Sequence, residues 1–326
     1  MSGVPDPTVS VKRRASPLRA VALSIAGLGI LAILVWWVNP ARLASTLRHA
    51  DARWVLLALV AIVISAVIGA YNSYLMAVPG RTMRFSAFFP AYWAAWALNQ
   101  VVPGQVGDLL GLSLFLRRQG LTLPTAVGRL SVDKLISLFC TLALSAGLLV
   151  IFEEPMPRLA GMVGAAAAAS LLLTYLFSRR IETIVHAKQG WRAYLLSGLR
   201  EAHQVVSIRS GAVTANTCLT VVKLFVIGFC YWAIFCALHA APGNLFDVSV
   251  TANSTGLIAY VPISANGLGT VEAAGIYLFG LHGVAAPFVL ATYLTLRACN
   301  LTLAWGGTAL LLLANALPHA KTNGVR

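Results

Sequence analysis

Charge is what this sequence has least of. Charged residues make up 10% of the 326, and only ten of them are acids. A soluble domain carries about 25% charged residues, so a soluble globular fold is excluded. Long polar stretches are also missing, which leaves no room for an extramembrane domain able to bind a nucleotide. Cysteine is sparse and badly spaced for chemistry. Cys140, Cys218, Cys230, Cys236 and Cys299 lie in apolar stretches, without CxxC or zinc-ligand spacing, and read as packing residues. The six histidines lack metal-ligand spacing with a carboxylate or cysteine. No catalytic set, metal or cofactor is expected.

What is there is apolar. Hydrophobic residues make up 59% of the chain and the mean hydropathy is +0.80. This is the composition of an all-α polytopic membrane protein. The net charge of +14 would suggest nucleic acid in a soluble protein. Here the basic residues flank apolar spans, so topology and anionic lipid account for them and no nucleic-acid partner is expected.

Six stretches are long enough to cross a bilayer: 18–38, 54–79, 121–152, 157–177, 212–240 and 285–317. Residues 1–17 are polar and read as a disordered cytoplasmic N-terminus, with 318–326 as a cytoplasmic tail. The basic run Lys12-Arg13-Arg14 precedes the first span, which is too long for a signal-peptide core and reads as retained. Two further stretches, 85–116 and 249–282, break at Pro103, Gly104 and Gly107 and at Pro262, Gly267 and Gly269. Proline and glycine interrupt helices, and the freed backbone groups need protein or water at membrane depth. Both stretches read as re-entrant or broken helical hairpins, or as two full spans each. Either form returns to its own side. With the N-terminus inside, sixteen of the 24 Lys and Arg then fall on the cytoplasmic face, four outside and four within the membrane. That asymmetry matches the positive-inside rule, with both termini expected in the cytoplasm.

The layout has an inverted repeat, with half-repeats at about 54–152 and 212–317 inside one domain spanning 18–317. Each half reads span, broken hairpin, span. Each hairpin carries Pro, then Gly, then an acid (Asp108 or Glu272), and each following span carries an arginine (Arg129 or Arg297). Broken helices at matching places in inverted halves point to a transporter's binding site. Residues 178–210 form a basic connector, either an interfacial amphipathic helix or ordinary topogenic charge.

Seven ionisable residues lie inside apolar stretches: Asp108, Arg129, Asp133, Lys134, Lys223, Glu272 and Arg297. Each costs about 2.5–3.5 kcal/mol at the bilayer centre if unpaired. Seven would exceed a domain's whole net stability of about 5–15 kcal/mol, so they must pair, face water or bind something charged. Arg129 and Asp133 are four apart and can pair, as a structural ion pair or as one that opens for an anionic headgroup. Lys134 reads as snorkelling toward the cytoplasmic end. Asp108 and Glu272 either cap a helix start or partner an arginine across the bundle. Lys223 is deep for snorkelling, so it either contacts substrate or is structural.

The paired motifs resemble the lysyl-phosphatidylglycerol synthase transmembrane-region family, flippase-like proteins that include the membrane half of the multiple peptide resistance factor. The resemblance rests on Asn99 through Asp108 (NQVVPGQVGD), Arg117-Arg118-Gln119-Gly120 and Arg129 to Lys134. It continues in Val261 through Glu272 (VPISANGLGTVE), Gly283-Val284, Arg297 and Gly306-Gly307. The family usually carries Glu where this chain has Asp108. The resemblance implies translocation of a lipid headgroup between leaflets, without an aminoacyl-transferase domain. The expected function is a flippase moving a phosphate-bearing lipid. Arg129, Arg297 and Lys223 would hold the phosphate, and Asp108, Asp133 and Glu272 would neutralise them when the site is empty. Membrane lipids are the expected partners, with a lipid-synthesis enzyme as a further one. The alternatives are a membrane-embedded transferase acting on a lipid-linked substrate, or a non-transporting partner of such an enzyme.

Overall fold

The computed structural model describes residues 17–78, 83–102, 107–184, 191–261 and 263–316. Of the N-terminus 1–17 expected to be disordered, residues 1–16 lie outside them and Pro17 begins a helix; the expected cytoplasmic tail 318–326 lies outside them too, as do Pro103, Gly104 and Pro262. The described chain is helical, with no strand among the described residues. It is a multi-pass membrane protein. Four helical segments are long and apolar enough to cross a bilayer: Ala52–Ala77, Leu123–Ile151, Ser210–Ala237 and Ala286–Leu313. A bent pair, α1 (Pro17–Val38) and α2 (Pro40–Arg48), makes a fifth if counted as one span. The expected stretch 157–177 falls within α8 (Pro155–Ile184).

Local chemistry accounts for the element ends. Between α1 and α2 the chain turns by 83°. Asn39 there has φ 75°, its side chain accepts from the Ala41 amide at 3.0 Å, and Pro40 occupies the first turn of α2. Asn tolerates a left-handed backbone and caps a helix start, while proline suits the first turn. Asp51 caps α3 (Ala52–Ala77), Thr122 caps α6 (Leu123–Ser145) and Asn244 caps α11 (Leu245–Gly256), each accepting a first-turn amide. The one-turn α7 (Leu148–Ile151) extends α6 to a span.

The broken stretches are hairpins of short helices. α4 (Phe85–Asn99) is followed by α5 (Gly107–Arg118). α11 is followed, after two 3₁₀ turns at 257–260 and 265–267, by α12 (Thr270–Leu281). At 1.5 Å rise per residue, a helix of 12 to 15 residues is about 18–22 Å long. That falls short of a hydrocarbon core of about 30 Å. None of these four α-helices alone reaches across that thickness.

Packing around the hairpins is reciprocal. α3 and α10 (Ser210–Ala237) run together through the centre. The first hairpin's α4 packs on α13 (Ala286–Ala316), and the second hairpin's α11 packs on α6. Within each half, α5 lies on α6 and α12 on α13. Small residues permit the closest approaches. The Gly107 amide donates to Asn99 Oδ1 at 2.9 Å, and a Cβ there would sit 2.6 Å from the Asn99 Cα. One turn on, a Cβ at Gly111 would sit 2.9 Å from the Ala95 Cβ. This is the small-residue contact that joins helices where lipid supplies no hydrophobic drive. α9 (Trp191–Ile208), in the basic connector, packs along α6, where a side chain at Gly128 would run into the Gly198 carbonyl.

Gly107→Ala should thus destabilise the protein by about 1–3 kcal/mol through overpacking. Gly29→Ala, whose new methyl meets nothing within 4 Å, should not. Thermal unfolding of the two variants in detergent checks this, and equal melting temperatures would contradict the packing assignment.

Candidate functional site

Both hairpin breaks end on an acid that holds a cation of the following span. Asp108 is the second residue of α5, where Oδ1 accepts the Leu109 amide at 2.8 Å. Its other oxygen takes the Lys134 ammonium from α6. Glu272 sits in the first turn of α12, and its Oε2 accepts the Gly269 amide at 2.7 Å. Its Oε1 takes Arg297 Nε from α13, and Arg297 Nη2 donates to the Asn266 carbonyl at 3.3 Å. Glu272 is fully buried. Each acid thus both caps a helix start, where free amides and the dipole favour negative charge, and pairs across to the next span.

The register of the two pairs matches. Lys134 is the twelfth residue of α6 and Arg297 the twelfth of α13. Lys134, and not Arg129, is therefore the positional counterpart of Arg297. The snorkelling expected of Lys134 is corrected: the buried carboxylate of Asp108 holds it inside.

Arg129 and Asp133 do not pair, although their spacing allows it. Arg129 Nε lies 3.2 Å from Glu201 Oε2 on α9, and Thr125 Oγ1 donates to the same carboxylate at 3.3 Å. Asp133 turns inward to the α3–α10 seam, accepting Ser73 Oγ at 2.8 Å and Asn216 Nδ2 at 2.9 Å. With α9 supplying an acid on one side and α3 and α10 supplying neutral donors on the other, each residue is satisfied elsewhere.

Lys223, on α10, makes no hydrogen bond or ion pair with any described residue. Its Nζ and the Tyr92 hydroxyl of α4 both face Gly69 of α3. Lys223 and Tyr92 lie within electrostatic range of Asp108, Lys134 and Asp133. The second pair has its own aromatic surround. Tyr231 lies within range of both Arg297 and Glu272, its ring 4.9 Å from that of Tyr293, whose hydroxyl meets Thr255 Oγ1 at 2.7 Å.

The glycines of the second break are set by backbone geometry. Gly267 and Gly269 have φ of 68° and 80°, which β-carbon-bearing residues rarely adopt. A Cβ at Gly269 would meet Ile30 of α1 at 2.7 Å, so α1 closes directly over this break. The polar residues nearby bond as interhelical contacts in part. Asn72 Nδ2 donates to Thr220 Oγ1 at 3.0 Å and Asn253 Nδ2 to the Leu224 carbonyl at 3.0 Å, whereas Asn300 bonds its own helix at Leu296. Among the described residues, no three His, Cys, Asp or Glu cluster as metal ligands.

Sequence reading missed Tyr92, Gly69 and Glu201. Tyr92 lies in an aromatic-rich apolar run with nothing to mark it. Glu201 carried a usable signal, as one of two acids in the basic connector.

The sequence model of a family described as "Lysylphosphatidylglycerol synthase TM region" matches residues 24–306. No curated protein matches the chain.

Removing one partner of a buried pair leaves an uncompensated charge and costs about 3–5 kcal/mol. Glu272→Gln should therefore lower the melting temperature sharply, and Glu272→Gln with Arg297→Gln should recover much of the loss. A double-mutant cycle measured by unfolding in detergent checks the coupling. Additive losses would show that the two side chains do not interact.

Proposed function

The chain belongs to the lysylphosphatidylglycerol synthase transmembrane-region family, and on that premise we propose that it is a lipid flippase. It moves a phosphate-bearing headgroup across the bacterial inner membrane, with both termini in the cytoplasm as the positive-inside asymmetry requires. The observation that carries this reading is the pair of matched acid–base contacts, Asp108–Lys134 and Glu272–Arg297, each tying a hairpin break to the following span.

The chemistry follows from what a buried charge demands. A cation cannot leave its carboxylate for an apolar interior without a new anion, because the uncompensated state costs several kcal/mol. A headgroup phosphate supplies that anion, and a guanidinium binds it with two parallel hydrogen bonds. When the phosphate joins Arg297 it shares the guanidinium with Glu272, so no charge is left bare; Glu272 keeps its cap on Gly269, its hold on α13 weakens, and the hairpin is free to move. When the lipid leaves, the carboxylate again holds the cation alone. Lys134 and Asp108 serve the first hairpin in the same way. The two halves, related as an inverted repeat, then open in turn.

In this scheme Lys134 joins Arg297 and Lys223 as phosphate ligands, with Asp108 and Glu272 as the resident counter-ions. Arg129 and Asp133, expected as members of the set, serve it indirectly. Arg129 ties α9 to α6 through Glu201, and Asp133 fixes the α3–α10 seam.

Purified protein in liposomes with fluorescent phospholipids and dithionite quenching tests the proposal. Arg297→Gln together with Glu272→Gln, which strands no charge, should slow leaflet exchange by roughly tenfold or more, the equivalent of about 1.4 kcal/mol of lost binding, in protein that remains folded. Exchange at the wild-type rate would overturn the assignment. A new covalent lipid product in the same vesicles would point to a transferase instead.

A further inference from the structure

The chain turns a sharp corner between α1 and α3, at one end of the bundle. α1 stops at Val38, Asn39 caps α2, and α2 runs at 83° to α1. The corner lies where α10 ends, because the Asp51 amide, just before α3, donates to the Ala237 carbonyl at 2.8 Å. A helix that crosses a bilayer and then turns by nearly a right angle leaves its second arm along the bilayer surface.

The residues of α2 suit that position. At about 100° per residue, Leu43 and Leu47 fall on one side, and Arg42, Ser45, Arg48 and His49 on the other. Leu43 is buried where α2 packs on α13, and the polar side is exposed. Just before the corner stand Trp36 and Trp37, 78% and 63% exposed. With Asn39 and Pro40 they line a shallow hollow of about 480 Å³. Tryptophan collects at membrane–water interfaces, where its ring sits at headgroup level.

Charge at the corner is unbalanced. Residues 36–53 hold three arginines, Arg42, Arg48 and Arg53, against one acid, Asp51. None of the three pairs with an acid among the described residues. Asp51 is engaged in capping α3 through the Arg53 amide at 2.9 Å. Two other acids of this end of the bundle, Asp247 and Glu154, lie within electrostatic range of His282, at the end of α12. The three arginines are also three of the four cations expected outside, where positive charge is otherwise avoided. Unpaired arginines on an amphipathic helix beside exposed tryptophans are what an anionic lipid surface attracts.

We infer that this corner is a docking surface for anionic phospholipid. Trp36 and Trp37 seat at headgroup level, and Arg42 and Arg48 hold the phosphates beside them. The surface is separate from the ion pairs at the breaks and does not depend on the flippase reading. It also fixes the depth of α1, which closes over the second break through Ile30, six residues before Trp36 and about 9 Å along the helix.

Tryptophan quenching of the full chain in vesicles tests this. Phosphatidylcholine vesicles carry an equal fraction of either brominated phosphatidylglycerol or brominated phosphatidylcholine. The share of the pair is the signal lost in Trp36→Phe/Trp37→Phe. Brominated phosphatidylglycerol should quench that share roughly twofold or more over phosphatidylcholine. Arg42→Gln/Arg48→Gln should remove the preference at an unchanged melting temperature, because both side chains are exposed and unpaired. Arg42→Lys/Arg48→Lys should keep most of it. Raising the salt from about 0.1 to 1 M, which shortens the screening length from about 10 to about 3 Å, should weaken it. Equal quenching by the two lipids, or a preference unchanged by the Gln substitutions or by salt, would overturn the inference. So would a Lys variant that loses the preference as completely as the Gln variant. Quenching by neither lipid would mean that protein, for instance a second copy of the chain, covers the corner, and would overturn it as well.

Discussion

An ionised side chain in an apolar interior needs a partner, and the architecture of this protein is arranged around that requirement. Two acids meet it by working twice. Asp108 and Glu272 each accept an amide at the start of a short helix, which stabilises a helix end that lies within the protein. Each then reaches across to a cation on the following span. The break in the backbone and the charge in the span thus solve each other's problem. Without the acid, both the freed amides and the cation would lack a partner.

Packing supplies the precision that such pairs need. Gly107 and Gly111 let α5 lie against α4, and Gly269 lets the second break lie under Ile30 of α1. The reciprocal contacts, α4 on α13 and α11 on α6, mean that neither hairpin can shift without disturbing a span of the opposite half. The α3–α10 seam packs against α4, α6, α11 and α13. That seam is itself pinned by Asp133, Ser73, Asn216 and Asn72.

Much of this was legible in the residues. The apolar runs located the spans, and the Pro and Gly clusters located both breaks, because these signals are local. Glu272 and Arg297 stood out as candidates for the same reason: a lone acid after a glycine-rich break and a lone arginine in a long apolar run. Partner choice was less accessible. Arg129 and Asp133 have ideal helical spacing, yet Glu201, on a helix some seventy residues away in sequence, captures one and the α3–α10 seam captures the other. Spacing along one helix says which side chains can meet, and tertiary packing decides which do. Tyr92 and Gly69 could not be found from pattern at all. Their significance arises only where α3, α4 and α10 converge on Lys223.

The central claim is that the ion pairs at the breaks exchange partners with lipid phosphate, and are not merely structural. The most direct test is the leaflet-exchange rate of a protein in which both members of one pair are neutral, Asp108→Asn with Lys134→Gln. This change strands no charge, so the protein should stay folded, and its melting temperature serves as the check. The account predicts that this folded protein no longer accelerates lipid exchange. Exchange at the wild-type rate would show that the pair only holds the fold together, and would contradict the account.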